Sequence, residues 1–273
     1  MTYQDLRNNI FSKKSYLCVG LDTDPALIPE CLKNEQYPLF AFNREIVDAT
    51  AKYAVAYKPN TAFYEACGTE GWKQFEMTVA YIKEHYPELF VIADAKRGDI
   101  GNTAKRYAKC FFETMDCDAV TLAPYMGKDS IAPFLEYKDK WAIVLALTSN
   151  PSFVDFELYT GNDSTSKPIY QRVIETASEW GTINNLMFVV GATRAEMLSG
   201  IRKFCPDNFL LVPGVGAQGG TIAEVASAGF TKDCGMLVNS SRGIIYASKE
   251  DDFAEAAAKA AAKVVSEMEI SFK

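Results

Sequence analysis

Asp94-Ala95-Lys96-Arg97-Gly98-Asp99 places four charged side chains within six residues at the end of the apolar run Leu89-Phe90-Val91-Ile92-Ala93. Charge where a buried strand runs out is costly unless the groups pair or act on something. Asp94 and Lys96 are two residues apart, so along an extended segment their side chains leave on the same side. A second lysine, Lys58 in Tyr57-Lys58-Pro59-Asn60, also closes an apolar run. Charge at the carboxyl end of a strand in an alternating β/α chain is where enzymes of that class keep their chemistry, and here that chemistry would rest on Lys and Asp side chains. The competing reading is an ion pair that only caps the fold, since such networks also occur without chemistry.

A second group lies downstream. Gly214-Val215-Gly216-Ala217-Gln218-Gly219 follows an apolar run and matches the dinucleotide pattern G-x-G-x-x-G, a weak signal by itself. A dinucleotide site needs an acidic residue at the end of the next strand, and here that place holds Asn239-Ser240-Ser241-Arg242. Gly214, Gly216, Gly219 and Gly220 together with Arg242 suit a phosphate monoester better. Backbone N–H groups receive the anion, and a guanidinium grips it through two donors.

The elements that must position these groups alternate along the whole chain. Short β-rich apolar runs cover 16–21, 54–58, 90–94, 119–123, 141–147, 187–190, 209–212 and 236–239. Amphipathic stretches such as 72–84, 102–114, 170–180 and 194–204 lie between them, and an Ala-rich helix is expected over 252–268. Eight strands each followed by a helix predict an α/β fold, a single (β/α)8 TIM barrel over 1–273, with a doubly wound open sheet as the alternative. In a barrel the carboxyl ends of the strands gather on one face, which brings Asp22, Lys58, Asp94, Lys96, Ser149, Gly214 and Arg242 toward one another. The connection over 148–168, about twenty residues, far exceeds the usual length of about six. Phe153, Phe156, Leu158 and Tyr159 predict a partly packed lid there.

Composition narrows the function further. A formal net charge of -7 argues against nonspecific binding to nucleic acid or acidic membranes, while leaving room for a small anion held by local cations. No apolar run is long enough to span a bilayer, and residues 1–9 lack a basic segment followed by an apolar core, so neither a span nor a signal peptide is expected. Seven scattered cysteines without a Cys-x-x-Cys pair fit free thiols in a reducing cytoplasm. The single histidine, His85, falls at an expected helix end and reads as a surface residue. With one histidine, most Ser-His-Asp, Cys-His and His-metal mechanisms drop out.

Asp94-x-Lys96-x-x-Asp99 followed by Ile100-Gly101-Asn102-Thr103, with Lys58 upstream and Pro213-Gly214-Val215-Gly216-Ala217-Gln218-Gly219-Gly220 downstream, resembles the orotidine 5′-phosphate decarboxylase family in its longer bacterial branch. The resemblance runs from Asp22 through Arg242. It implies decarboxylation of orotidine 5′-phosphate to uridine 5′-phosphate (UMP) without metal or cofactor. It maps an alternating Lys-Asp-Lys-Asp array onto Lys58, Asp94, Lys96 and Asp99. It further implies a homodimer in which Asp99, Ile100 and Thr103 serve the neighbouring subunit's site. Asp22 and Lys58 would hold ribose hydroxyls, Ser149 or its neighbour Asn150 would face the pyrimidine, and Gln218 and Arg242 would grip the phosphate. Residues 217–220 are expected to become ordered when the nucleotide binds.

Two rivals stand beside this reading. A related phosphate-sugar barrel would use a divalent metal on the same Asp-x-Lys-x-x-Asp pattern, but it needs an acidic ligand where this chain has Lys58. A catalytically silent nucleotide-binding barrel would not need two lysines interleaved with carboxylates beside a phosphate site.

Overall fold

A computed structural model describes residues 1–161, 166–192, 195–215 and 220–272. Eight strands, β1 (Leu17–Leu21), β2 (Ala56–Pro59), β3 (Phe90–Arg97), β4 (Ala119–Leu122), β5 (Trp141–Leu147), β6 (Leu186–Val190), β7 (Leu210–Pro213) and β8 (Met236–Ser240), close in chain order into one barrel. Every pairing is parallel, including the closing one in which Leu17 of β1 meets Val238 of β8. The strands read as continuous apolar runs because side chains on both faces are buried, inward in the barrel and outward under helices.

Helices over Pro38–Thr50, Gly68–His85, Gly101–Lys109, Lys128–Leu135, Ile169–Ser178, Ala195–Arg202, Ile222–Gly229 and Phe253–Met268 clad the outside. Trp141, Tyr57, Phe90 and Phe209 are among the largest fully buried side chains, each worth about 1.5–3 kcal/mol of transfer free energy on the scale of large apolar groups. His85 lies exposed in the last turn of Gly68–His85, with Nδ1 3.0 Å from the Tyr81 carbonyl. Among the described residues, no helix is long and apolar enough to cross a membrane.

The long connection after β5 is only partly packed. Phe153 and Leu158 rest against the core, whereas Phe156 and Tyr159 are exposed. Glu157 turns back to accept hydrogen bonds from the Thr148 amide at 2.6 Å and the Thr148 hydroxyl at 2.7 Å, tying the loop to the end of β5.

One strand differs from the sequence expectation in a way that matters for the site. β3 does not stop at Asp94 but continues through Ala95 and Lys96 to Arg97. A charged segment looks like a loop to any pattern reading, yet here it is paired. Ala93 pairs with Val120 and Arg97 with Leu122, so β3 spends two more residues than β4 over this stretch. The surplus is absorbed at Lys96, whose φ of 47° lies in the left-handed region that side chains other than glycine seldom adopt.

Candidate active site

The ends of β1, β2 and β3 bring four of the expected residues, Asp22, Lys58, Asp94 and Lys96, into one chain of ionic contacts. Lys58 Nζ donates to Asp94 Oδ2 at 2.6 Å, and Lys96 Nζ donates to Asp94 Oδ1 at 2.6 Å. Asp22 Oδ1 lies 3.9 Å from Lys58 Nζ. The side chains of Lys58 and Asp94 are 6% and 9% exposed, while that of Lys96 is 49% exposed. The array is therefore rooted in the barrel and opens to solvent at the Lys96 ammonium.

Burial by itself would raise the Asp94 pKa, but the two lysine ammonium groups beside it hold the carboxyl well below the ordinary carboxylate range. Burial would likewise depress Lys58, and the Asp94 and Asp22 carboxylates overcome this and raise its pKa. Both groups are ionised throughout the neutral range. Arg97, by contrast, turns away from the array. Its guanidinium bonds the Ala95 carbonyl at 2.7 Å, pairs with Glu65 and packs against the rings of Tyr107 and Phe111, bracing the end of β3.

A cleft of about 730 Å³ adjoins the array. It is lined by Asp22, Ser149, Gly214, Gly220 and Arg242, residues expected to meet, and also by Asn239 and Ser241. Asp22 belongs to both the cleft and the ionic array and so joins them. Gly214 has φ 93°, a conformation that favours glycine. A Cβ on Gly220 would come within 2.5 Å of the Ala192 carbonyl, so the backbone here can approach only as glycine. Arg242 is exposed at the start of a four-residue helix, Arg242–Ile245. Gly216, Gln218 and Gly219, and most of the segment expected to order over 217–220, lie outside the described residues.

Between the neighbouring alternatives Ser149 and Asn150, Ser149 lines the cleft, while Asn150 Oδ1 accepts from the Thr148 hydroxyl at 2.6 Å. Asp99, Ile100 and Thr103 do not reach this cleft. Asp99 is exposed and accepts from the Ile100 amide at 2.7 Å, Ile100 is 41% exposed, and Thr103 is exposed on Gly101–Lys109. Among the described residues, no three His, Cys, Asp or Glu side chains are grouped to hold a metal ion.

Sequence reasoning missed three residues. Thr121 of β4 places its hydroxyl 2.9 Å from Asp94 Oδ1 and 3.0 Å from the Lys96 amide. Tyr246 donates its hydroxyl to the Asp22 carbonyl at 3.0 Å and accepts from the Asp24 amide at 2.7 Å, fixing the turn that carries Asp22. Asn239 is buried on the cleft wall with Oδ1 unpartnered. A polar residue inside the run Ala119-Val120-Thr121-Leu122 was the available signal for Thr121, and spacing of one helical turn from Arg242 was the signal for Tyr246.

A family model described as orotidine 5′-phosphate decarboxylase / HUMPS family matches residues 15–260. A protein of Phocaeicola vulgatus named orotidine 5′-phosphate decarboxylase is 55% identical over 269 residues, covering 98% of each chain. One of the same name from Christiangramia forsetii is 56% identical over 273 residues, covering 98% of this chain and 99% of its own. Among solved structures, the OMP decarboxylase of Leishmania donovani superposes with a TM-score of 0.81 at 34% identity, covering 98% of this chain and 99% of its own.

Proposed function

The chain belongs to the orotidine 5′-phosphate decarboxylase / HUMPS family, and from that premise we propose how its residues perform the reaction. It is a carboxy-lyase that converts orotidine 5′-phosphate to UMP and CO2 in pyrimidine biosynthesis. The observation that carries the mechanism is the Lys58–Asp94–Lys96 chain of 2.6 Å contacts, which opens on a half-exposed ammonium.

Breaking the bond between the pyrimidine ring and its carboxylate releases CO2 and leaves the electron pair on the ring carbon. Lys96 Nζ stands beside that carbon, stabilises the developing negative charge and then delivers one of its protons to it. Asp94 keeps Lys96 in place and lies near the departing carboxylate. Their repulsion raises the bound substrate's free energy, a smaller contribution than the stabilisation by Lys96. The lysines supply the positive charge, so the chemistry calls for neither metal nor cofactor. A divalent ion on the Asp94 carboxylate would have to displace the Lys58 ammonium that is 2.6 Å from it.

Substrate binding is assigned to the cleft. Asp22 and Lys58 hold the ribose hydroxyls, and Ser149 faces the pyrimidine. Arg242 and Gln218 grip the phosphate, with backbone amides of the segment holding Gly214, Gly216, Gly219 and Gly220. Phosphate binding far from the reacting carbon contributes free energy that helps to exclude water there. Asp99, Ile100 and Thr103, exposed in the single chain, complete the site of a second copy in a homodimer. The enzyme works on free nucleotides in the cytoplasm, with no nucleic acid or membrane partner.

The test is the fall in orotidine 5′-phosphate absorbance with purified protein in the presence of a chelator. Lys96→Ala abolishes turnover and leaves UMP binding intact. Arg242→Ala weakens UMP binding by about 10–100-fold, the range for a lost charge-assisted hydrogen bond. Equal losses of binding in the two variants would overturn these roles.

A further inference from the structure

We propose that Thr121 is a positioning residue for the decarboxylation, one hydroxyl that sets both the Lys96 backbone and the Asp94 carboxylate. The inference rests on the catalytic roles given above to Lys96 and Asp94, and it concerns a residue that those roles do not include.

The argument starts from the mismatch between β3 and β4. Because β3 carries two surplus residues between Ala93 and Arg97, the Lys96 amide falls where β4 offers no carbonyl in register. Thr121 Oγ1 takes the place of that carbonyl and accepts the Lys96 N–H at 3.0 Å. A backbone N–H can only donate, so the hydroxyl must be the acceptor in this contact. Its single proton is then free for Asp94 Oδ1 at 2.9 Å, and an ionised carboxylate can only accept. The polarity of the whole arrangement is fixed by these two constraints.

Thr121 is 1% exposed, so its hydroxyl has no access to water as an alternative partner. Lys96 meanwhile occupies a left-handed conformation that its side chain does not favour, and such a conformation persists only where its surroundings over-determine it. The pins around it are the Thr121 hydroxyl on its amide, the Arg97 guanidinium on the Ala95 carbonyl at 2.7 Å and the Ala123 amide on the Arg97 carbonyl at 2.7 Å. Only the Thr121 contact also touches Asp94. Through it, the direction of the Lys96 side chain and the orientation of its counter-ion are set together.

The experiment compares Thr121→Val, Thr121→Ser and Lys96→Ala with wild type in steady-state turnover and UMP binding. Valine keeps the shape and suits a buried strand but can neither accept nor donate. Thr121→Val lowers kcat by about 10²-fold, the scale of an ångström misplacement, with UMP affinity unchanged. Thr121→Ser, which retains the hydroxyl, restores most of kcat. Should the valine variant not fold, Thr121→Cys replaces it with the same expected split, since a thiol is a weak donor and a weak acceptor. The proposal is overturned by wild-type kcat in Thr121→Val, by Thr121→Ser being as slow as Thr121→Val, or by UMP affinity falling in step with kcat. Turnover persisting in Lys96→Ala would instead sink the catalytic reading on which the proposal stands.

Discussion

The Asp94 carboxylate accepts from two ammonium groups and a hydroxyl, and this crowd of donors makes it a stability element as well as a catalytic one. Its folded-state pKa is depressed, so its contribution is fully present above the unfolded value of about 3.9 and is lost as pH falls below that toward the folded value. Asp94→Asn is expected to be less stable than wild type by about 3 kcal/mol at pH 7, because Lys58 stays buried with its nearest counter-ion gone. The gap should narrow on acidification below about pH 4. Urea denaturation of both proteins across that range checks it, and a gap constant with pH would contradict it. At this scale the sequence was legible where residue type alone carries the information. Four charges at a strand end have few reasons to be there. Thr121 showed only as a polar residue inside an apolar run, and its importance depends on a slip between two strands that no local pattern records.

Two adjacent strands, β3 and β4, are locked together at the end of the barrel opposite the site as well. Asp118 donates its amide to the Val91 carbonyl and accepts the Val91 amide on Oδ2, both at 2.9 Å. It also receives Lys83 Nζ at 3.0 Å on Oδ1, and its carbonyl accepts the Trp141 amide at 2.9 Å. One buried residue thereby joins β3, β5 and the helix Gly68–His85, its backbone bonding β3 and β5 and its carboxylate bonding the Val91 amide, Lys83 and the Met1 ammonium at 3.1 Å. Asp118→Ala is expected to destabilise the fold by about 3–5 kcal/mol, the range for breaking a buried pair, while kcat per folded molecule stays at the wild-type value. Chemical denaturation with active-site titration separates the two quantities, and a fall in kcat without loss of stability would contradict the assignment. Strand existence was readable throughout, because burial on both faces makes each strand a continuous apolar run. The continuation of β3 to Arg97 was not, because charged residues mimic a loop when only their type is visible.

At the scale of the molecule, the closed ring of eight strands follows from the count of apolar runs and gathers residues separated by more than two hundred positions at one end. What the ring does not do is bring Asp99, Ile100 and Thr103 to the cleft of their own chain. If they serve a second copy, mixing inactive Lys96→Ala chains with inactive Asp99→Ala chains restores part of the activity, since every mixed dimer contains one site with neither substitution and one with both. Absence of recovery after proven subunit exchange would place Asp99 in its own chain's site. The ring also divides the chain by its tolerance of changes in length. Between the Asp118 tie and the Thr121 tie, β3 has a fixed number of residues, and gaining or losing one codon there would change which residue meets Lys58 and which takes the left-handed turn. The connection from Thr148 to Pro168 runs from β5 to the helix Ile169–Ser178 and sets the register of no pair of strands. Drift in gene length is therefore freer to accumulate in the later part of that connection, past Ser149 and the Glu157 tie, and barred from the few codons that carry Asp94 and Lys96.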